Sequence, residues 1–222
     1  MTPKNSQTPI RRYDIDMTKY LHAILISGDL RSFDHVHPRL RSDGTFLFQQ
    51  PLPTNGYYLY ADADPRGYGN QVFRFPLGIA GDRESPDLSE SATLSRIGPY
   101  LVNLEGSLSG RTRSTLIVRI SKGGAPARDL HPYLGALAHA VFVGANDLSY
   151  LHVHPMAYRP GLPQAVMSDA AMANMAPLPE TMFSPAAMVL QLPRIRPGTY
   201  KLWLQFRGGS RLYAAPFVLR AS

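Results

Sequence analysis

"LHAILISGDLRSFDHVHP", residues 21–38, lies without a gap over "AHAVFVGANDLSYLHVHP", residues 138–155. His22 falls on His139, Phe33 on Tyr150, His35 on His152 and His37 on His154. Each copy reads as an apolar run, a turn near Gly28–Leu30 or its counterpart, and a second run that ends in His-Val-His-Pro. This is the pattern of a β-hairpin. Residues i and i+2 of a strand share a face, so His35 and His37 point the same way. Antiparallel pairing then brings His22 beside His35 or His37, whichever register the turn imposes. Six of the seven histidines thus form two copies of H-x12-H-x-H-P.

Period-2 patterning extends outward from these hairpins. "TFLFQ" places Phe46 with Phe48, "LIVRI" places Leu116, Val118 and Ile120 together, and "KLWLQF" does the same for Leu202, Leu204 and Phe206. The 20 Pro and 18 Gly fall mostly between such runs, as turn residues do. An all-β sandwich class follows, with one short helical candidate at Ser168–Met175. A second match sets "GYYLYADADPRGYGNQVFRFPL" (56–77) over "GTYKLWLQFRGGSRLYAAPFVL" (198–219), now at an offset of 198 − 56 = 142. The first offset is 138 − 21 = 117, so the second copy carries about 25 extra residues, within the Met-rich stretch 156–188. The expected organisation is a first repeat at 9–77, a polar, Ser-rich linker at 78–95 and a second repeat at 96–222. Copy two has room for strands near 99–105 and 114–120 before His139. Copy one has none, and its sheet is expected to be completed by the second domain or by an upstream segment.

Bulk composition excludes several classes. With 44% hydrophobic and 18% charged residues the chain is of globular type. No apolar run approaches the roughly 18 residues of a transmembrane helix. The opening "MTPKNSQTPIRRYD" has no h-region of a signal peptide, as a mature exported domain would also lack. Zero cysteines exclude disulfides and thiolate sites. The formal charge of +7 is scattered, without a basic helix or aromatic RNA-binding strand, so no nucleic-acid partner is expected.

Three converging imidazoles suit Zn²⁺, Cu(II) or Ni(II) and leave positions open for water or another ligand. His131 is a candidate fourth nitrogen in copy two, and Asp14 holds its place in copy one, eight residues before His22. Met156 is a candidate soft ligand. The other methionines of the insertion, Met167, Met172, Met175, Met182 and Met188, read as packing residues rather than copper ligands, since their spacing has no tight repeat. A competing reading makes the histidines structural, each bonded to backbone at a hairpin end. A third is a metalloenzyme with an open three-histidine site. No nucleophile elbow, P-loop or dinucleotide fingerprint is present. A cupin would need a Glu soon after the second His, and "HVHPRLRSDG" and "HVHPMAYRPG" have none.

"DLHPYLGALAHAVFVGANDLSYLHVHP" (129–155) and "DGTF" (43–46) resemble a family of exported bacterial proteins. These have HxHP-containing repeats and look like relatives of the FixH/YtkA-like and copper-resistance-associated sandwiches. The resemblance covers most of 9–77 and 99–219. It implies two tandem Ig-like (immunoglobulin/cupredoxin-like) antiparallel β-sandwich repeats, a periplasmic or extracellular location and metal handling. It transfers His22, His35, His37, His139, His152 and His154 as site residues. The expectation is a non-enzymatic, extracytoplasmic metal-binding or metal-tolerance protein that uses copper or zinc, with metal ion as its partner.

Overall fold

The computed structural model describes residues 1–3, 6, 8–53, 56–78, 85–161 and 176–222. These form antiparallel sheets with no helix among the described residues, and no helix is long and apolar enough to cross a membrane. The helical candidate at Ser168–Met175 and three of the methionines (Met167, Met172, Met175) lie outside the described residues. The chain divides into two units, Met1–Asp87 and Leu88–Ser222.

The second unit is a two-layer sandwich. One layer is built from β8 (Leu94–Ile97), β9 (Tyr100–Glu105), β10 (Ser114–Lys122), β11 (Ala125–Pro126), β15 (Met156–Ala157) and β16 (Ala187–Leu192), in the order β15-β16-β10-β9-β8 with β11 on β10. The other is built from β12 (Leu130–His131), β13 (His139–Gly144), β14 (Tyr150–Val153), β17 (Gly198–Gly208) and β18 (Arg211–Ala221), in the order β12-β17-β13-β14 with β18 on β17. Alternation decides which side chains meet. Leu116, Val118 and Ile120 of β10 are buried while Thr115 and Arg119 are exposed. They pack with Leu202, Leu204 and Phe206 of β17 in one core. Met188 is fully buried in this core, as a packing residue.

The first unit has the second of these layers in nearly the same form. It comprises β1 (Tyr13–Asp14), β2 (His22–Ser27), β3 (Phe33–Val36), β6 (Tyr57–Pro65) and β7 (Gln71–Leu77), in the order β1-β6-β2-β3 with β7 on β6. A two-stranded ribbon, β4 (Arg39–Leu40) with β5 (Phe46–Leu47), pairs Arg39 with Leu47. Met156 pairs with Val189 in β15 and β16, the equivalent positions at offsets 117 and 142. Among the described residues the first unit has no counterpart of β8, β9 or β10. It is one sheet and a ribbon rather than two full layers.

Cover therefore differs at equivalent positions. Phe217 on β18 is 0% exposed, whereas Phe75, its counterpart on β7, is 48% exposed and lines an apolar groove of about 540 Å³ with Leu21, Ala23, Leu59 and Ala61. The stretch expected as a linker, 78–95, is mostly exposed over 85–94 and is tied in at its C-terminal end. β8 begins within it, Asp87 pairs with Arg31, and Glu90 pairs with the fully buried ammonium of Lys201.

A polar clamp joins the two layers of the second unit. The Tyr100 hydroxyl on β9 donates to Asp129 Oδ2 at 2.8 Å, and Lys122 Nζ reaches the same oxygen at 2.5 Å. The Tyr100 ring lies against Gly208 of β17, where a Cβ would collide with it. Burial pushes the Tyr100 phenol up, and the Asp129 carboxylate adds to that. At Asp129 burial acts upward, but the bonds from Lys122 and Tyr100 outweigh it and hold the carboxyl below its usual range.

Two predictions follow from cover and clamp. Phe217→Ala should cost about 3–5 kcal/mol in a denaturant titration, and Phe75→Ala under about 1 kcal/mol. Equal costs would contradict the one-layer description of the first unit. Because the folded value of Asp129 lies below the unfolded one, its stabilisation is present at neutral pH. It is lost as the pH falls through the ordinary carboxylate range to the depressed value. Asp129→Asn should lower Tm at neutral pH and weaken the acid dependence of Tm, with little difference from wild type at strongly acid pH.

Candidate metal centre

Each histidine cluster is assembled by one hairpin and the strand entering it. In β2 and β3, Ala23 pairs with Val36 and Ile24 with His35; in β13 and β14, Ala140 pairs with Val153 and Val141 with His152. The registers match at the offset of 117 throughout. One step further along each ladder sets His22 opposite His37 and His139 opposite His154. All three imidazoles of each set thus lie on one sheet face.

The entering strand is interrupted just before its histidine. Asp16-Met17-Thr18-Lys19 forms a two-residue turn with both central residues at positive φ, 40° and 71°. Tyr133-Leu134-Gly135-Ala136 does the same at 51° and 82°. This is the type I′ arrangement. The turn aims one carbonyl back at the imidazole. His22 Nε2–H donates to the Asp16 carbonyl at 3.1 Å, and His139 Nε2–H donates to the Tyr133 carbonyl at 2.9 Å. A carbonyl only accepts, so the proton of each neutral ring sits on Nε2 and Nδ1 presents its lone pair.

That lone pair points at the other two rings. In the first set His22 Nδ1 is 2.9 Å from His35 Nε2, and His37 Nε2 is 3.1 Å from His35 Nε2. In the second, His139 Nδ1 is 3.2 Å from His152 Nε2 and 3.0 Å from His154 Nε2. The same atom of each ring faces inward in both sets. Hydrogen bonding serves such a knot poorly: the His139 Nδ1 lone pair cannot accept two well-aligned protons, and a His35 Nε2–H that donates to His22 Nδ1 cannot also accept from His37. Nitrogens sharing one Zn²⁺-sized ion at about 2.0–2.1 Å lie roughly 3–3.5 Å apart. The spacing is close to that, and both clusters could hold a metal ion. The carbonyl bond behind His22 and His139 is the outer-shell contact that fixes a ligating imidazole in orientation and tautomer.

Exposure separates the rings. His22 and His139 are buried at 1% and 0%, His35 is buried, and His37, His152 and His154 are half-buried. The second site thus has two partly accessible rings and the first has one. Of the three other candidate ligands, His131 and Asp14 belong to neither cluster. His131 Nδ1–H donates to the Met182 carbonyl at 3.0 Å, and its ring packs on Phe183 at 4.8 Å between centroids. Met156 sits on β15 in the other layer, opposite Val189. Asp14 is held by Arg66 at 2.9 Å. The carbonyls of Asp16 and Tyr133 are the functional groups the spacing did not reveal. They are backbone atoms, and neither Met-Thr nor Leu-Gly announces a type I′ turn as Asn-Gly would.

In the metal-free protein, long-range ¹H–¹⁵N correlation should show His22 and His139 as Nε2–H tautomers. A proton on Nδ1 of either ring would contradict the geometry.

Among curated proteins none matches the chain. A family model described as a domain of unknown function, DUF8832, matches residues 95–222. That span is more than half of the chain and holds the whole of the second histidine cluster, on a sandwich that the model covers from β8 to the C-terminus. The chain belongs to the DUF8832 family.

Proposed function

We propose that the protein is a non-enzymatic metal-binding or metal-tolerance protein of an extracytoplasmic compartment, with two three-histidine sites for copper or zinc. The observation that carries this reading is the convergence of one Nδ1 and two Nε2 atoms in both clusters, two of the three nitrogen pairs in each at 2.9–3.2 Å and all within 4.8 Å. Neutral imidazole is a common ligand for both metals, and three protein ligands leave a position for water or an exchanging donor. Such an open position suits capture and release. The compartment rests on the resemblance to exported sandwich proteins alone.

A structural role has one observation in its favour. His22 and His139 are buried and bonded to backbone, as a hairpin-closing imidazole would be. The half-buried His37, His152 and His154 fit that role less well, since partly accessible rings contribute less to packing than buried ones.

Equilibrium dialysis followed by elemental analysis separates the two. Wild type should take up two equivalents of Zn(II) or Cu(II) per chain, with a rise in Tm. The variant H139A/H152A/H154A should take up one and keep its β-type circular dichroism. Binding should weaken as the pH falls, because protons compete for the same lone pairs. No uptake and no change in Tm for wild type, with unfolding of the triple variant, would establish the histidines as structural.

A further inference from the structure

The two clusters are alike in their imidazoles but not in the residue next to them. On β6, Asp62 is the cross-strand partner of His22; on β17, Gln205 is the cross-strand partner of His139. Directly opposed residues of an antiparallel ladder share a face. Asp62 and Gln205 therefore stand on the histidine face at equivalent positions. Both are buried, at 6% and 8% exposure. The offset between them is 205 − 62 = 143, whereas gapless matching of 56–77 to 198–219 uses 142 and sets Asp62 over Leu204. On β7 and β18 the offset of 142 does hold, with Leu77 and Leu219 in equivalent pairs. The alignment slips by one residue across β6, and a slip of one exchanges the two faces of a strand.

We infer that Asp62 makes the first cluster an anionic site and the tighter of the two for a dication, while Gln205 leaves the second neutral. This rests on the metal-binding reading above. The carboxylate is not one of the convergent donors, so it acts as a neighbouring charge and not as a ligand. Its Oδ1 accepts a hydrogen bond from Asn70 Nδ2 at 2.8 Å, which holds it in place on the sheet face. Burial of an anion is costly unless opposite charge compensates it, and a dication in the adjacent cluster does so directly. The amide of Gln205 is a dipole of similar reach with no net charge. The consequence is a division of labour: a retaining site in the first unit and an exchanging site, with its two half-buried rings, in the second.

The test uses single-site forms of the full chain. H139A/H152A/H154A retains the first cluster and H22A/H35A/H37A retains the second, with Zn²⁺ and Ag⁺ as probes in chelator competition. The first-site form should bind Zn²⁺ at least about tenfold more tightly. In it, Asp62→Asn should weaken Zn²⁺ about 10- to 100-fold, the range for outer-shell partners of metal ligands. The loss for Ag⁺ should be about half as large on a logarithmic scale, since Coulomb energy scales with the charge of the ion. Gln205→Asp in the second-site form should produce the reverse gain. A form that fails to fold is replaced by the intact chain, where Asp62→Asn should turn a two-step Zn²⁺ isotherm into a single class of sites. Equal affinities unaffected by Asp62→Asn, or equal losses for Zn²⁺ and Ag⁺, would overturn the inference and leave the metal sites standing. Absence of Zn²⁺ binding in every form would overturn both.

Discussion

The bond from a buried imidazole Nε2–H to the carbonyl of an interrupted strand sets the chemistry of both clusters. It consumes the one proton of His22 and of His139, and so turns a lone pair toward the two rings that follow. The carbonyl reaches the ring only because the chain reverses through two residues at positive φ. Met17, Thr18 and Leu134 carry side chains in that region, which costs energy relative to glycine. The strain is local, adjacent to the site and present in both units. The ladder that begins at each histidine holds the ring rigidly enough for that cost to persist.

Register does the remaining work of assembly. His35 and His37, or His152 and His154, need no special contact to face the same way, because every second residue of a strand does. What register adds is the third ring, delivered from the neighbouring strand at the point where the hairpin opens. The same ladder delivers Asp62 or Gln205 from the other side. A strand central in its sheet can thus surround one histidine with side chains from both neighbours. β2 and β13 hold that position in their sheets.

The two units share this sheet and differ in what lies on its opposite face. In the second, β8, β9 and β10 supply a layer that buries Phe217 and completes one continuous core. In the first, the β4–β5 ribbon covers part of the face and Phe75 stays exposed. The histidine face is common to both and buries apolar surface of its own: Ile24 and Ile26 follow His22 on it, and Val141 and Val143 follow His139, all fully buried. The apolar groove of the first unit includes no histidine among its lining residues.

The sequence alone determined the hairpins, the all-β class and the six histidines that cluster. All three are written in periods of two and in an alignment of 18 residues without a gap, which local geometry translates directly into faces. It also located β9 and β10, near 99–105 and 114–120, by the same alternation. Only the tertiary structure decided that His131 turns to the Met182 carbonyl and Met156 joins the other layer, because separation along the chain does not measure distance between sheets. Only it could supply the carbonyls of Asp16 and Tyr133, since a backbone acceptor has no residue type to read. And only the ladder of β6 with β2 placed Asp62 opposite His22. A loop between β6 and β7 that differs in length from its counterpart shifts the match by one position, and in a strand one position is the difference between the core and the site.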